Sequence, residues 1–405
     1  MCALALAAGF ALKAQCTQPW VDGLQYRRLC YNDVQALWAN RGVAQRTFPY
    51  VHGDLAAGEL VDGAIEYPVL TGLFMWASGT GTGSPDEYLV RNAVLLAPFG
   101  ALVAYVLARM RRWRALMWAA APAVVLYAFH NWDLLVVAAA VVGLYHWSRG
   151  RHSWAAVAFG LGAAFKMYPA LFLAPLALER WTAGDRDGAR RALALGAGTF
   201  ALVNVPFALA NFDGWWATYE FHRARGADWN SIWVWLSGAR VGPITLPVLD
   251  AGALNVLGTV LTAASLAGAL AVGWYRRARE GRFPSFQVCA AMLAAFLLWN
   301  KVHSPQYALW LLPFFVLVRV RVAWWVAYSI ADLVVYVAIF RWFYDYTALG
   351  LDATFAKRAL IAGVWARAVL LAATFVAFLR ADAERVPAER ARSGTLAGAP
   401  SPSAT

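Results

Sequence analysis

The sequence predicts an all-α polytopic integral membrane protein, and three observations carry that prediction. Sixty-one per cent of residues are hydrophobic and 14% charged, with a mean hydropathy of +0.51, far from the balance of a soluble domain. Apolar runs of helix length recur along the chain, and a bilayer core asks for about 20 apolar residues per spanning helix. Arginines gather between those runs, at 109–114, 149–151, 186–191, 276–282, 319–321 and 380–392. Short basic loops mark the cytoplasmic side of a membrane. The net charge of +12 is therefore a topology signal, and no nucleic-acid partner is expected.

With the arginine loops inside, the elements follow in order. A first helix runs outward to about residue 15; "MCALALAAGFAL" is short for a span and lacks the basic start of a signal peptide, so it reads as a helix shortened by choice of initiation codon. Residues 16–88 form a long outer loop carrying short interfacial helices. Its apolar piece "YPVLTGLFMWA" is too short to cross and dips into the bilayer or lies along it. Helices are expected near 89–109, 113–130 and 132–148, then a stretch 154–180 broken at "KMYP". Further helices near 190–210, 251–274, 284–300, 306–318, 322–340 and 358–379 complete a bundle of about 10 to 12 spans with both termini inside. Outer loops are expected at 211–250, Trp-rich as at headgroup level, and at 341–357. Residues 1–380 read as a single transmembrane domain and 381–405 as a disordered cytoplasmic tail. No internal repeat is visible.

Every polar motif falls on the outer side: "CYNDV" (30–34), "EYPVL" (66–70), "FHNWDLL" (129–135), "FKMYPAL" (165–171), "RGADWNSIW" (225–233) and "NKVHSPQY" (300–307). The chain has only four lysines against 31 arginines, yet Lys166 and Lys301 stand at two of these breaks, each followed by a proline. They could hold a phosphate as point charges or snorkel to the headgroups; the use of arginine everywhere else favours the first reading. His303 and Arg341 are phosphate candidates beside them, with anchoring the plainer role for Arg341, and Gln306 is a candidate for binding sugar or acceptor. Asp33 could serve as a general base or cap the helix that "NDVQALWA" begins. Asp133 could cap the helix it begins or, with Asn131, bind sugar or acceptor, and His130 and Asn131 face the same outer space. Glu66, Tyr67 and Arg225 could bind sugar hydroxyls or wet an interface.

Three other features read as structural. Cys16 and Cys30 lie in the first outer loop, where a disulfide is permitted and two free thiols are the alternative. Asp332 and Arg367 lie at matching depths, counted from expected outer helix ends at Phe340 and Arg358, and are expected to pair. "DRD" at 185–187 has the spelling of a metal-holding aspartate motif but sits in a short arginine-rich inner loop. No metal or other cofactor is expected.

These motifs, in this order and spacing, resemble glycosyltransferase family 87, integral-membrane enzymes of the GT-C fold that include polyprenol-phosphate-mannose-dependent α-mannosyltransferases of actinobacteria. The likeness runs from about residue 16 to 320. It implies a lipid-phosphate sugar donor used at the outer face of the plasma membrane, a glycolipid or glycan acceptor, and Asp33 as catalytic base. Two departures stand out: Asn32 where the family often has Ser, and the short first helix. The expectation is an inverting mannosyl transfer, with Lys166, Lys301 and His303 stabilising the departing phosphate. The alternatives are arabinofuranosyl transfer from a similar donor and, in a different class, a lipid-linked sugar flippase. A flippase would favour inverted repeats and midplane polar groups.

Overall fold

Helix boundaries follow local chemistry in the computed structural model, which describes residues 1–241 and 244–382. The N-terminal part holds α1 (Cys2–Ala14), α2 (Leu24–Arg27), α3 (Asp33–Asn40) and a hairpin of β1 (Asp54–Ala56) and β2 (Glu59–Val61). Then come α4 (Val69–Gly79), α5 (Pro85–Arg111), α6 (Leu116–Ala119), α7 (Pro122–Tyr127), α8 (Asp133–Ser148), α9 (His152–Phe165) and α10 (Leu173–Thr182). They are followed by α11 (Arg186–Ala210), α12 (Phe212–Ala224), α13 (Ile232–Leu236) and a two-stranded ribbon of β3 (Arg240–Val241) and β4 (Ile244–Thr245). The chain closes with α14 (Ala251–Glu280), α15 (Ser285–Trp299), α16 (Ala308–Leu317), α17 (Val322–Leu349) and α18 (Phe355–Arg380). Side-chain oxygens of Ser84, Asp185, Asn211, Asp250 and Thr354 accept the first free amides of α5, α11, α12, α14 and α18. Gly281 and Gly350 end α14 and α17 in the left-handed conformation.

Among the described residues, five helical stretches are long and apolar enough to cross a membrane: Pro85–Ala119, Arg186–Ala210, Ala251–Glu280, Val322–Leu349 and Phe355–Arg380. Shorter apolar helices, α8, α9 and α15 among them, pack inside this frame. α9 lies between α8 and α11, and α18 packs on α17 and α15. Glycine lets α9 and α11 approach closely: a Cβ on Gly160 would stand 2.5 Å from the carbonyl of Gly196.

Several expectations need correction. The helix expected over 113–130 is interrupted: a 3₁₀ turn at Arg112–Ala115 leads into α6, and the chain straightens at Ala121 before α7. Pro122 is the cause, because a residue preceding proline avoids helical geometry. The outer loop expected at 341–357 is largely helix, since nothing in 341–349 breaks α17 before Gly350. "DRD" is explained locally, with Asp185 capping α11 and Asp187 paired to Arg190. Cys16 and Cys30 are bonded. The tail expected at 381–405 falls, from residue 383 on, outside the described residues.

The Asp332–Arg367 pair forms, Nη1 to Oδ1 at 3.2 Å with both groups buried. The depth reckoning behind it does not hold, because α17 continues past Phe340. Arg367 also donates Nη2 to the Asn230 carbonyl at 2.6 Å, so the pair ties α17 and α18 to the segment after α12.

Successive long elements alternate in direction, and this sorts the polar groups to two ends. At one end Arg114 donates to the carbonyls of Phe315, Val316 and Val318, Arg277 to Thr182, and Arg276 to Leu379 and Ala381. The arginine loops thus close the helix ends there. All six polar motifs lie at the other end.

Candidate active site

At the motif end a cavity of about 510 Å³ is lined by residues of α2, α3, α12 and α17, by the turn before α8, by 66–68, 166–168, 300–302 and 304–307, and by Arg225, Asp228 and Asn230. Asp33, Lys166 and Lys301 all lie on its wall. So do Glu66, Tyr67, Arg225 and Gln306.

Asp33 opens α3, but Asn32 caps it: the Asn32 amide oxygen accepts from the Gln35 amide at 2.8 Å. The expected helix start is therefore present, while the capping role proposed for Asp33 falls to its neighbour, which does what a serine there would do. Asp33's own amide donates to the His130 carbonyl at 2.8 Å, and its Oδ2 accepts from Asn131 Nδ2 at 2.7 Å. Burial pushes the Asp33 carboxyl up to about 6, against the hydrogen bond from Asn131 and the charge of Lys166.

Asn131 is the hub of this wall. The same Nδ2 donates to the Tyr67 hydroxyl at 2.6 Å, and its Oδ1 accepts from Lys166 Nζ at 3.4 Å. Lys166 in turn pairs with Asp133 Oδ2 at 2.8 Å and lies 5.2–5.7 Å from the ring centres of Tyr67, Tyr307 and Trp310. Trp310 Nε1 donates to the other Asp133 oxygen at 2.6 Å. Asp133 therefore caps nothing: α8 begins without a side-chain cap, and both carboxylate oxygens are engaged by α9 and α16 neighbours. Its charge offsets that of Lys166.

The lining also holds the cations Lys301 and Arg225. Lys301 Nζ donates to the carbonyls of Arg223 and Arg225 at 3.0 and 2.6 Å, and the Asp228 amide donates to the Lys301 carbonyl at 2.9 Å. Burial, then the nearby Arg225, lowers the Lys301 ammonium from its ordinary value, and burial raises the Asp228 carboxyl. Glu66 is paired with Arg41, and its carbonyl meets His222 Nε2 at 2.7 Å.

Four expected members do not line the cavity: Asn131 and Asp133 are fully buried behind its lining, and His303 and Arg341 are elsewhere. His303 is buried with Nδ1 against the Leu297 carbonyl at 2.9 Å, and it borders a small separate void with Asn230 and Arg367. Burial and the Arg367 charge hold its imidazole well below the usual range, so it supplies no positive charge. Arg341 lies on α17 paired to Asp345 at 3.2 Å, whereas Ile339, Phe340 and Phe343 turn the cavity face of that helix inward. Sequence reasoning missed His222, Asp228 and Arg41. Asp228 lies within a quoted motif; His222 sits in a Trp-rich helix with no polar pattern around it.

These features define a class, a polytopic membrane protein that collects ionisable groups around one polar cavity at one end of an apolar bundle. Residues 67–299 match the model of glycosyltransferase family 87, and the chain belongs to that family. It is thus a membrane glycosyltransferase. The matched stretch includes Tyr67, Asn131, Asp133, Lys166 and Arg225 and leaves Asp33 and Lys301 outside. Among solved structures the chain is similar to ArnT from Cupriavidus metallidurans bound to undecaprenyl phosphate, at 13% identity and a TM-score of 0.45, over 97% of this chain and 78% of that one. No curated protein matches.

Proposed function

We propose that the protein moves mannose from a polyprenyl-phosphate donor to an acceptor hydroxyl at the extracytoplasmic face, with inversion. The observation that carries this reading is the shared cavity, whose lining holds a buried carboxylate, Asp33, together with the cations Lys301 and Arg225. Asp33 takes the proton from the acceptor hydroxyl as that oxygen attacks the anomeric carbon. The bond to the phosphate breaks on the opposite side, and Lys301 and Arg225 stabilise the charge that develops on the leaving oxygen. Lys166, offset by Asp133, acts mainly by holding Asn131 against Asp33. The arginine end faces the cytoplasm on this reading, which puts the cavity outside, and the reaction calls for neither nucleotide nor metal.

The test supplies protein in lipid nanodiscs with labelled polyprenyl-phosphate-mannose and a mannoside acceptor. Replacing Asp33→Asn is expected to cut transfer by about 10²–10⁴-fold, the usual worth of a general base. Undiminished transfer would remove Asp33 from that role. Transfer from the arabinose donor alone would reassign the sugar.

A further inference from the structure

Lys13 is fully buried at the end of α1, and the chemistry above does not use it. Its ammonium donates to the Tyr31 carbonyl at 3.0 Å and to the Tyr336 hydroxyl at 2.8 Å, and it lies 3.4 Å from His130 Nδ1. The Tyr336 hydroxyl in turn donates to the Leu29 carbonyl at 2.6 Å. Leu29 has φ +58°, a conformation that a leucine adopts only when its surroundings impose it. His130, beside Lys13, offers its carbonyl to the Asp33 amide. One buried amine therefore gathers three elements, α1, α17 and the turn before α8, onto the five residues that end at Asp33.

We infer that Lys13 is a positioning residue: through the Tyr31 carbonyl, the Tyr336 hydroxyl and His130 it fixes segment 29–33 so that the Asp33 carboxyl is aimed into the cavity. This rests on the reading of Asp33 as base. Apolar packing alone would leave the carbonyls of Leu29 and Tyr31 without these donors, and a strained Leu29 would have no cause to persist. The disulfide at Cys30 ties the same segment to Cys16, just beyond α1, but it holds a side chain and leaves those carbonyls to Lys13 and Tyr336.

The test compares wild type, Lys13→Met, Tyr336→Phe and Asp33→Asn in nanodiscs by two readouts. One is amide hydrogen exchange of residues 29–34; the other is mannosyl transfer, with kcat and the KM for the lipid donor separated. Lys13→Met is expected to speed exchange in that segment at least tenfold, with α8 and α15 unchanged, and to lower kcat at least tenfold at constant KM. Tyr336→Phe should move both readouts in the same direction by less, and it decides the matter if Lys13→Met does not fold. Exchange and kcat like those of wild type in the folded variant would overturn the inference, even with Asp33→Asn inactive. Undiminished transfer by Asp33→Asn would instead remove the base assignment, and exchange alone would then decide whether Lys13 holds the segment.

Discussion

Asp33 owes its chemical interest to what surrounds it. Three carboxylates line the cavity among the described residues, and two are otherwise occupied: Glu66 is paired with Arg41, and Asp228 lies against the Asn230 amide and near Arg225. Asp33 has Asn131 and Tyr31 as its immediate polar partners, neither of them charged. Burial therefore raises its carboxyl to about 6. A base works as the carboxylate, so transfer should be full above that value and fall about tenfold per pH unit below it. A rate profile that stays flat as pH drops through 6 would contradict this. Lys166 and Lys301 were legible because each interrupts an apolar pattern, whereas Asp33, in a polar outer loop, was preferred as base through the family resemblance. Lys13 was not legible, because its helix is short and a terminal lysine reads equally well as a headgroup anchor.

At the scale of elements, the Asp332–Arg367 pair joins α17, α18 and the segment carrying Asp228 and Asn230. Removing one partner leaves the other buried and unpaired, so Arg367→Leu should lower stability by about 3–5 kcal/mol. The double replacement with Asp332→Leu should recover part of that loss. Denaturant unfolding in micelles checks this, and single variants that both unfold like wild type would show that the contact contributes nothing. Helix positions were readable from apolar runs and proline, as at α8, α9, α15 and α18. Lengths were less so. α17 runs on through polar residues because Arg341 and Asp345 pair one turn apart, and a polar composition alone suggested a loop there. His303 shows the same limit: its motif placed it at the right end, but only the packing of 300–304 against α18 determines which way it points.

The whole molecule separates its charges by end. Arginines close helix termini at one end with backbone hydrogen bonds, while carboxylates, amides and two lysines gather around the cavity at the other. Alternating helix direction makes this separation a property of chain order, which is why six scattered motifs could be assigned to one side before their contacts were known. A lipid-borne phosphate should come to rest at Lys301 and Arg225, in the cavity that Asp33 also lines. The most direct measurement is a cryo-electron microscopy structure of the protein in nanodiscs containing a polyprenyl phosphate. The account predicts phosphate density between Lys301 and Arg225, facing Asp33. Phosphate density confined to the arginine end, with this cavity closed to lipid, would contradict it.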